Sequence, residues 1–497
     1  MNAQRKAEVQ ARRAERERAR AERRRLRLMP RERSQPPVMS FLPGRRPGER
    51  PGHRASTAHV QAAYPAVAEA GLGARGVYIG RDQHGGSFTY DPWVLYGRGI
   101  LNDANTIVIG SVGYGKSALS KSYLWRQRVF GRTVEIIDPK GEYLPLVESM
   151  GGVVLALEPG GKTRLNPLTR IGSRELREGL LEAIVQAMLD RPLAQGEAVG
   201  LAGALGAADR KADGEVCVPD VIEQLRAPDS ELCAQLNLSK AEATLELREC
   251  CLALQRLSTG PLRGMFDGPT TAGEGVWDAP AVALDLSGVR VGSSGGDRAI
   301  GITMVCASTF LDAKRTERAE RARSAGHEAP KVVRTNDEAW RALPIAGLGE
   351  YYQAAFKLSR ASGVQHWMVM HRFSDLRAAG DEGSRQQRLA EGLLSDASTT
   401  IVYKQHPREA PHTAELLGLS TTEADRITRL DSGEALWRVG GRSFLVYHVV
   451  SEMEWDLVRT DAAMVDNRDP VEAQERLEAV EEATEAVLND GPRGAIA

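Results

Sequence analysis

The stretch from Thr106 to Ser117 constrains this chain more than any other. A short β-branched apolar run, Thr106-Ile-Val-Ile109, leads straight into Gly110-Ser-Val-Gly-Tyr-Gly-Lys-Ser117, and a helix pattern continues from there up to Gly131. A strand so short and apolar expects burial on both faces, hence a parallel sheet covered by helices. The loop fits G-x-x-x-x-G-K-[ST] in the strand-to-helix setting that gives the pattern its meaning. Its glycines let the backbone curl with the N–H groups inward, so that amides and helix N-terminus face an anion. The residues read as a nucleotide cradle are Gly110, Gly113, Tyr114, Gly115, Lys116, Ser117 and Ala118. In that reading the ligand is ATP, Lys116 reaches its β- and γ-phosphates, and Ser117 ligates Mg²⁺. The plainer alternative is a glycine-rich turn before a helix, against which the intact Lys-Ser pair and its flanks speak.

Strand and helix patterns alternate beyond the loop. Strands are expected at Thr133 to Asp138, Gly152 to Leu157, Ala281 to Asp285, from Lys331 onward, at Trp367 to Met370 and at Thr400 to Tyr403, with helices at Arg298 to Lys314 and Ile345 to Arg360. Gly76 to Gly80 and Ser87 to Tyr90 read as a hairpin leading into this core. Such sheets place their sites at the carboxyl ends of the strands. Residues 171 to 258 break the alternation: rich in Ala, Leu and Glu at helical spacing, they predict an inserted helical subdomain. Residues 316 to 330 read as a solvent-facing helix end or loop, and residues 470 to 489 as an acidic exposed helix.

The net charge of −1 hides an asymmetry. From Met1 to Arg54 there are 17 Lys or Arg against 6 Glu, a surplus of 11, which leaves −12 on the remainder. A basic arm that ends in a Pro-rich linker suggests an interaction tail for nucleic acid, anionic lipid or an acidic partner, with a merely solubilising arm as the alternative. No run of 18 apolar residues and no apolar signal-peptide core occurs, so the expectation is a cytoplasmic protein whose membrane attachment, if any, is peripheral on the inner face. The five cysteines, Cys217, Cys233, Cys250, Cys251 and Cys306, lack a C-x-x-C spacing and read as reduced thiols.

Hydrolysis needs a carboxylate to position metal and another to polarise water. Asp337-Glu338, after the strand that begins at Lys331, supplies both: Asp337 as a Mg²⁺ ligand and Glu338 as the catalytic base. An acidic pair capping a helix is the competing explanation. The run Val332-Val-Arg-Thr-Asn336 is more polar than a buried central strand should be, so either the strand end is wet or the acid pair is less firmly placed than the loop.

With these motifs in order, the chain resembles the conjugal-transfer ATPases of type IV secretion systems, the VirB-four type, within the group that includes the FtsK and HerA DNA translocases. The resemblance covers about residues 76 to 460. It rests on the phosphate loop, Ile137-Asp-Pro-Lys-Gly-Glu-Tyr143, Arg164-Leu-Asn-Pro-Leu168, Gly264-Met-Phe-Asp-Gly-Pro269, Asp337-Glu-Ala-Trp340 and Arg360-Ala-Ser-Gly363. It implies an α/β fold: a RecA-like P-loop NTPase core with a mostly parallel sheet, an inserted helical subdomain and a disordered basic N-terminal arm. The corresponding divisions are arm and linker 1–54, core 76–170, helical subdomain 171–258, core 259–460 and acidic tail 461–497. It further implies a hexamer with ATP at subunit interfaces, where Arg360 matches the arginine that reaches a neighbour's γ-phosphate; a helix-end surface arginine is the alternative. His371 stands where the family usually places a glutamine that senses the γ-phosphate, and a core or capping histidine is the other explanation. Asp138 and Glu142 are either water-ordering or turn residues.

The expected function is an ATP-hydrolysing motor of a conjugation or type IV secretion apparatus. Its implied partners are other components of that apparatus, with a membrane-bound partner met through the basic arm. Full-length members carry a large N-terminal domain where this chain has about 75 residues of arm and linker. A DNA translocase or coupling-protein-like ATPase, for which DNA would be a partner, and a weakly hydrolysing ATP-binding scaffold are the alternatives.

Overall fold

The computed structural model describes residues 71–169, 173–289, 296–343, 345–371, 392–393 and 396–459. The basic arm, the Pro-rich linker and the acidic tail lie outside the described residues. Those from 71 onward belong to one compact unit.

Its frame is an eleven-stranded sheet made of β1 (Val77–Asp82), β2 (Ser87–Tyr90), β3 (Thr106–Ile109), β4 (Thr133–Asp138), β5 (Val153–Ala156), β6 (Ala281–Asp285), β7 (Val332–Asn336), β8 (Val364–Met370), β9 (Thr399–Val402), β10 (Glu434–Val439) and β11 (Arg442–His448). The order is β2-β1-β11-β10-β9-β3-β8-β7-β4-β6-β5. From β9 to β5 all neighbours are parallel. From β2 to β9 all are antiparallel. The parallel half and the β1–β2 hairpin follow the sequence expectation. The β10–β11 hairpin goes beyond it, although Gly440-Gly441 is the two-residue signal for it: φ values of 55° and 81° suit the primed turns that match strand twist.

β3, β4, β7 and β8 are buried along their whole length, as crossover connections require. One face is covered by the helix Lys116–Gln127, whose Tyr123 stacks on Trp367 of β8 at 4.3 Å while Ser120 Oγ accepts from Trp367 Nε1 at 2.8 Å. The other face carries the long helix Gly296–Ser324 and the helix Leu348–Ser362. The stretch expected as helical runs from Arg174 to Thr259 through successive helices opened by caps at Ser173, Asp229 and Ser239. Its Leu180, Ile184, Leu201, Leu254 and Leu257 join the same apolar core as Leu284 and Met368 of the sheet, so it is an insertion fused to the core. Where it leaves and re-enters, the two flanking motifs pair: Leu165 N donates to Met265 O at 2.9 Å and Thr271 N to Arg164 O at 3.0 Å.

The polarity of β7 has a different cause from either one expected. Arg334 is fully buried, with Nε donating to Glu135 Oε2 of β4 at 2.8 Å and Nη1 to Asp312 Oδ1 of the long helix at 2.8 Å. A central strand can carry an arginine when the strands and helix beside it supply its counter-charges.

Candidate active site

The sheet order determines which loops meet. β8 lies between β3 and β7, and β4 lies on the far side of β7. The loop after β3, the residue after β8, the acid pair after β7 and the turn after β4 therefore share one carboxyl edge.

On the loop, Gly110 runs so close to β9 that an added Cβ would stand 2.5 Å from Tyr403 Cβ, and Gly115 takes φ 106° where the helix Lys116–Gln127 begins. That helix starts with no side-chain cap and no acidic residue in its first turn, which leaves its N-terminal amides for an anion. Tyr114 is tied down from outside, its carbonyl accepting from Gly433 N at 3.0 Å. Ser117 and Ala118 lie on the first turn, and Lys116 folds inward, Nζ donating to Gly110 O at 2.5 Å and Ser111 O at 2.9 Å. Burial pushes the Lys116 amine down to about 8, partly opposed by Asp337.

Asp337 is buried at the end of β7. Oδ1 accepts from Glu338 N at 3.0 Å, and Oδ2 is buried with no hydrogen-bond partner among the described residues. Burial raises its carboxyl to about 6 although Lys140 opposes the rise. A buried carboxylate oxygen without a partner is the hard oxygen ligand a divalent cation takes, and the Ser117 hydroxyl on the first turn of the helix is a second, so the chemistry of Asp337 and Ser117 would suit Mg²⁺.

Glu338 is the most constrained residue here. Its backbone is left-handed, φ 55° and ψ 28°, a conformation that costs a residue with a Cβ about 1 kcal/mol and persists where surroundings enforce it. It precedes the short helix Ala339–Arg341 without capping it by its side chain, which removes the capping explanation. Instead Oε1 pairs with the Lys140 ammonium and with His371 Nε2 at 2.8 Å, and Arg341 Nε lies 3.5 Å from Oε2. Burial alone would raise this carboxyl, yet its bonds to His371 and Lys140 hold it far below the usual carboxylate range. His371 is thus gathered into the site as a partner of Glu338.

Arg360 is not brought to this edge. It is exposed in the last turn of the helix Leu348–Ser362, just before β8 begins, and its charge is felt by Asp103, which precedes β3. The seven residues of β8 separate it from His371 by roughly 20 Å at the usual rise per residue. Asp138 serves its own turn, accepting from Lys140 N, Gly141 N and Tyr143 N at 3.1, 2.9 and 2.9 Å, and Glu142 is part-buried near Lys140. Lys140 and Arg341, which sequence reasoning assigned no role, both reach Glu338. The signal for Lys140 was its place in the turn after β4, but only strand order reveals that β4 adjoins β7.

No protein-family model matches the chain, and comparison with curated proteins finds no match. Solved structures do match. VirB4 of Thermoanaerobacter pseudethanolicus is 20% identical with a TM-score of 0.60, the match covering 77% of this chain and 98% of that one. The fold is similar to that of VirB4. The plasmid coupling protein TrwB, solved with the non-hydrolysable ATP analogue ADPNP, is 12% identical with a TM-score of 0.50 over 81% of this chain and 96% of that one. At these identities the likeness is one of fold. Among the described residues no helix is long and apolar enough to cross a membrane.

Proposed function

We propose that this chain is an ATP-hydrolysing motor that energises a bacterial conjugation or type IV secretion apparatus. The observation that carries the reading is the convergence, on one carboxyl edge of a VirB4-like fold, of an uncapped phosphate loop with the unmatched Asp337 carboxylate and Glu338. The loop amides and Lys116 hold the phosphates, and Mg²⁺, held by Ser117 and Asp337, neutralises their charge. Glu338 accepts a hydrogen bond from water and takes its proton as the water attacks. Arg360, on the opposite edge from its own loop, acts on the site of a neighbouring subunit, which calls for a ring, a hexamer by the family resemblance.

The reading is tested by turnover. ATP hydrolysis per chain should rise with protein concentration as subunits associate, and fall to background in Lys116→Ala and Glu338→Gln. Intact hydrolysis in both variants rejects the motor. Hydrolysis that DNA stimulates with a steep salt dependence would instead mark a DNA translocase. One observation favours a weakly hydrolysing scaffold: Glu338 is ion-paired. ATP-dependent assembly with turnover that stays slow at every protein concentration would select it.

A further inference from the structure

Lys140 belongs neither to the phosphate loop nor to the acid pair, yet it is built into the site. Asp138 fixes the backbone of its turn through three N–H bonds, so the side chain is launched from a rigid base. It reaches Glu338, just past the end of the neighbouring β7. The two ends of this ion pair differ: the Glu338 side chain is 3% exposed and that of Lys140 is 35% exposed, so the pair is open on the lysine side. Lys116 is within electrostatic reach, for the positive charge of Lys140 acts on it and Asp337 attracts both ammonium groups. Lys116 at the helix start and Lys140 in the turn after β4 thus bring two ammonium groups to one carboxyl edge of the sheet.

A carboxylate engaged by an ammonium, an imidazole and a guanidinium is a poor acceptor for a proton from water, because those cations stabilise its ionised form. Losing one partner alters that without stranding the charge, since His371 at 2.8 Å and Arg341 at 3.5 Å stay in place. The ammonium can exchange a carboxylate for a phosphate oxygen at little net cost, both being charge-assisted bonds of similar strength. An anion between Lys116 and Lys140 also relieves the repulsion between them.

We propose that Lys140 is a positioning residue that reads the terminal phosphate of a nucleoside triphosphate, its ammonium leaving Glu338 for a γ-phosphate oxygen and so freeing the carboxylate to orient water. A diphosphate offers no group at that end of the loop and leaves the ion pair intact. The proposal rests on the nucleoside triphosphatase reading of the same site.

The test is binding, on the full chain with Mg²⁺, of ADP and of the non-hydrolysable analogue ADPNP to wild type, Lys140→Met, Lys140→Arg and Lys116→Ala. Expected for Lys140→Met is a loss of at least about tenfold in ADPNP affinity with ADP affinity held within about twofold, and recovery of most of the loss in Lys140→Arg. Unchanged ADPNP binding, or equal losses for both nucleotides, overturns the role of Lys140; so does loss of the folded state in Lys140→Met, seen as an absent thermal transition, if Lys140→Arg also fails to separate the two ligands. If wild type binds both nucleotides and Lys116→Ala binds neither, the nucleotide reading stands whatever Lys140 does. If wild type binds neither, both fall together.

Discussion

Strand β7 carries two clusters of charge three residues apart, and they are built on opposite plans. In mid-strand, Arg334 is sealed between Glu135 of β4 and Asp312 of the long helix, each bond at 2.8 Å, with His366 of β8 as its register neighbour. At the strand end, Asp337 has a buried oxygen without a partner, and neither Thr335 Oγ1 nor either amide atom of Asn336 has one among the described residues. Lys140 and His371 remain part-exposed around Glu338. Both clusters place charge in low dielectric and both leave buried atoms without a hydrogen bond, Arg334 Nη2 and His366 Nδ1 in the first, but the arginine has carboxylates on two sides whereas the atom left over in the second is an oxygen of the Asp337 carboxylate itself. A charge matched from within holds a fold together; one left unmatched at a strand's carboxyl end awaits something the chain does not contain.

The contrast can be broken most sharply by function. Glu338→Gln should leave the folded state in place and lower ATP turnover by at least about 100-fold, the usual contribution of a general base. An active Glu338→Gln protein would place the acid pair with the structural charges.

Arg334→Met should behave in the opposite way. It strands Glu135 and Asp312, at an expected loss of about 3–5 kcal/mol of stability in a urea melt. A loss below about 1 kcal/mol would put this ladder with surface ion pairs.

Asp337→Asn should stabilise the protein without nucleotide. The folded carboxyl titrates at about 6, above the roughly 3.9 of an unfolded aspartate. Its contribution is therefore fully favourable below about pH 4 and is lost as pH rises through 6. The variant should exceed wild type by about 2 kcal/mol at pH 7.5, and the gap should close toward pH 4. A gap that ignores pH would mean that Asp337 has found a partner.

The smallest effect belongs to the sealed cluster. Burial, with Arg334 adding to it, pushes His366 down to about 3, so its contribution is present above the unfolded value near 6.5 and declines as pH falls toward 3. Wild type should lose about 1 kcal/mol between pH 7 and 5.5 relative to His366→Gln, read from paired thermal melts.

The parts of this architecture legible in the sequence are those where local pattern and local chemistry coincide. β3, β4 and β6 lie where their β-branched and apolar runs place them, because a strand buried on both faces is mostly apolar, Glu135 of β4 being the exception that Arg334 matches. β7 misled for the converse reason: its polar residues are matched by Glu135 and by Asp312, the first nearly 200 residues away in the chain, and no local window holds both halves of such a pair. β8 begins three residues before Trp367, since Gln365 and His366 are buried polar groups that conceal the strand. The hairpin β10–β11 was not expected although Gly440-Gly441 carries a local signal for it, and nothing local gives its place beside β9. Of the site residues, the loop and the acid pair could be named from motifs; the contact between His371 and Glu338 could not.

By itself the sequence determined the elements and their chemistry: a glycine loop that only strand-to-helix geometry explains, an acid pair at a strand end, and helices between parallel strands. These follow from rules that act over a few residues, such as side-chain periodicity, the φ > 0 freedom of glycine and the uncapped amides of a helix start. The tertiary structure alone decided the neighbours. Setting β8 between β3 and β7, and β4 beyond them, brings Lys140 and His371 onto Glu338 while Arg360 faces away from its own loop. Coulomb energies and desolvation depend on distance in space, so the charge states of Lys116, Asp337 and Glu338 became readable only once the sheet had set those distances.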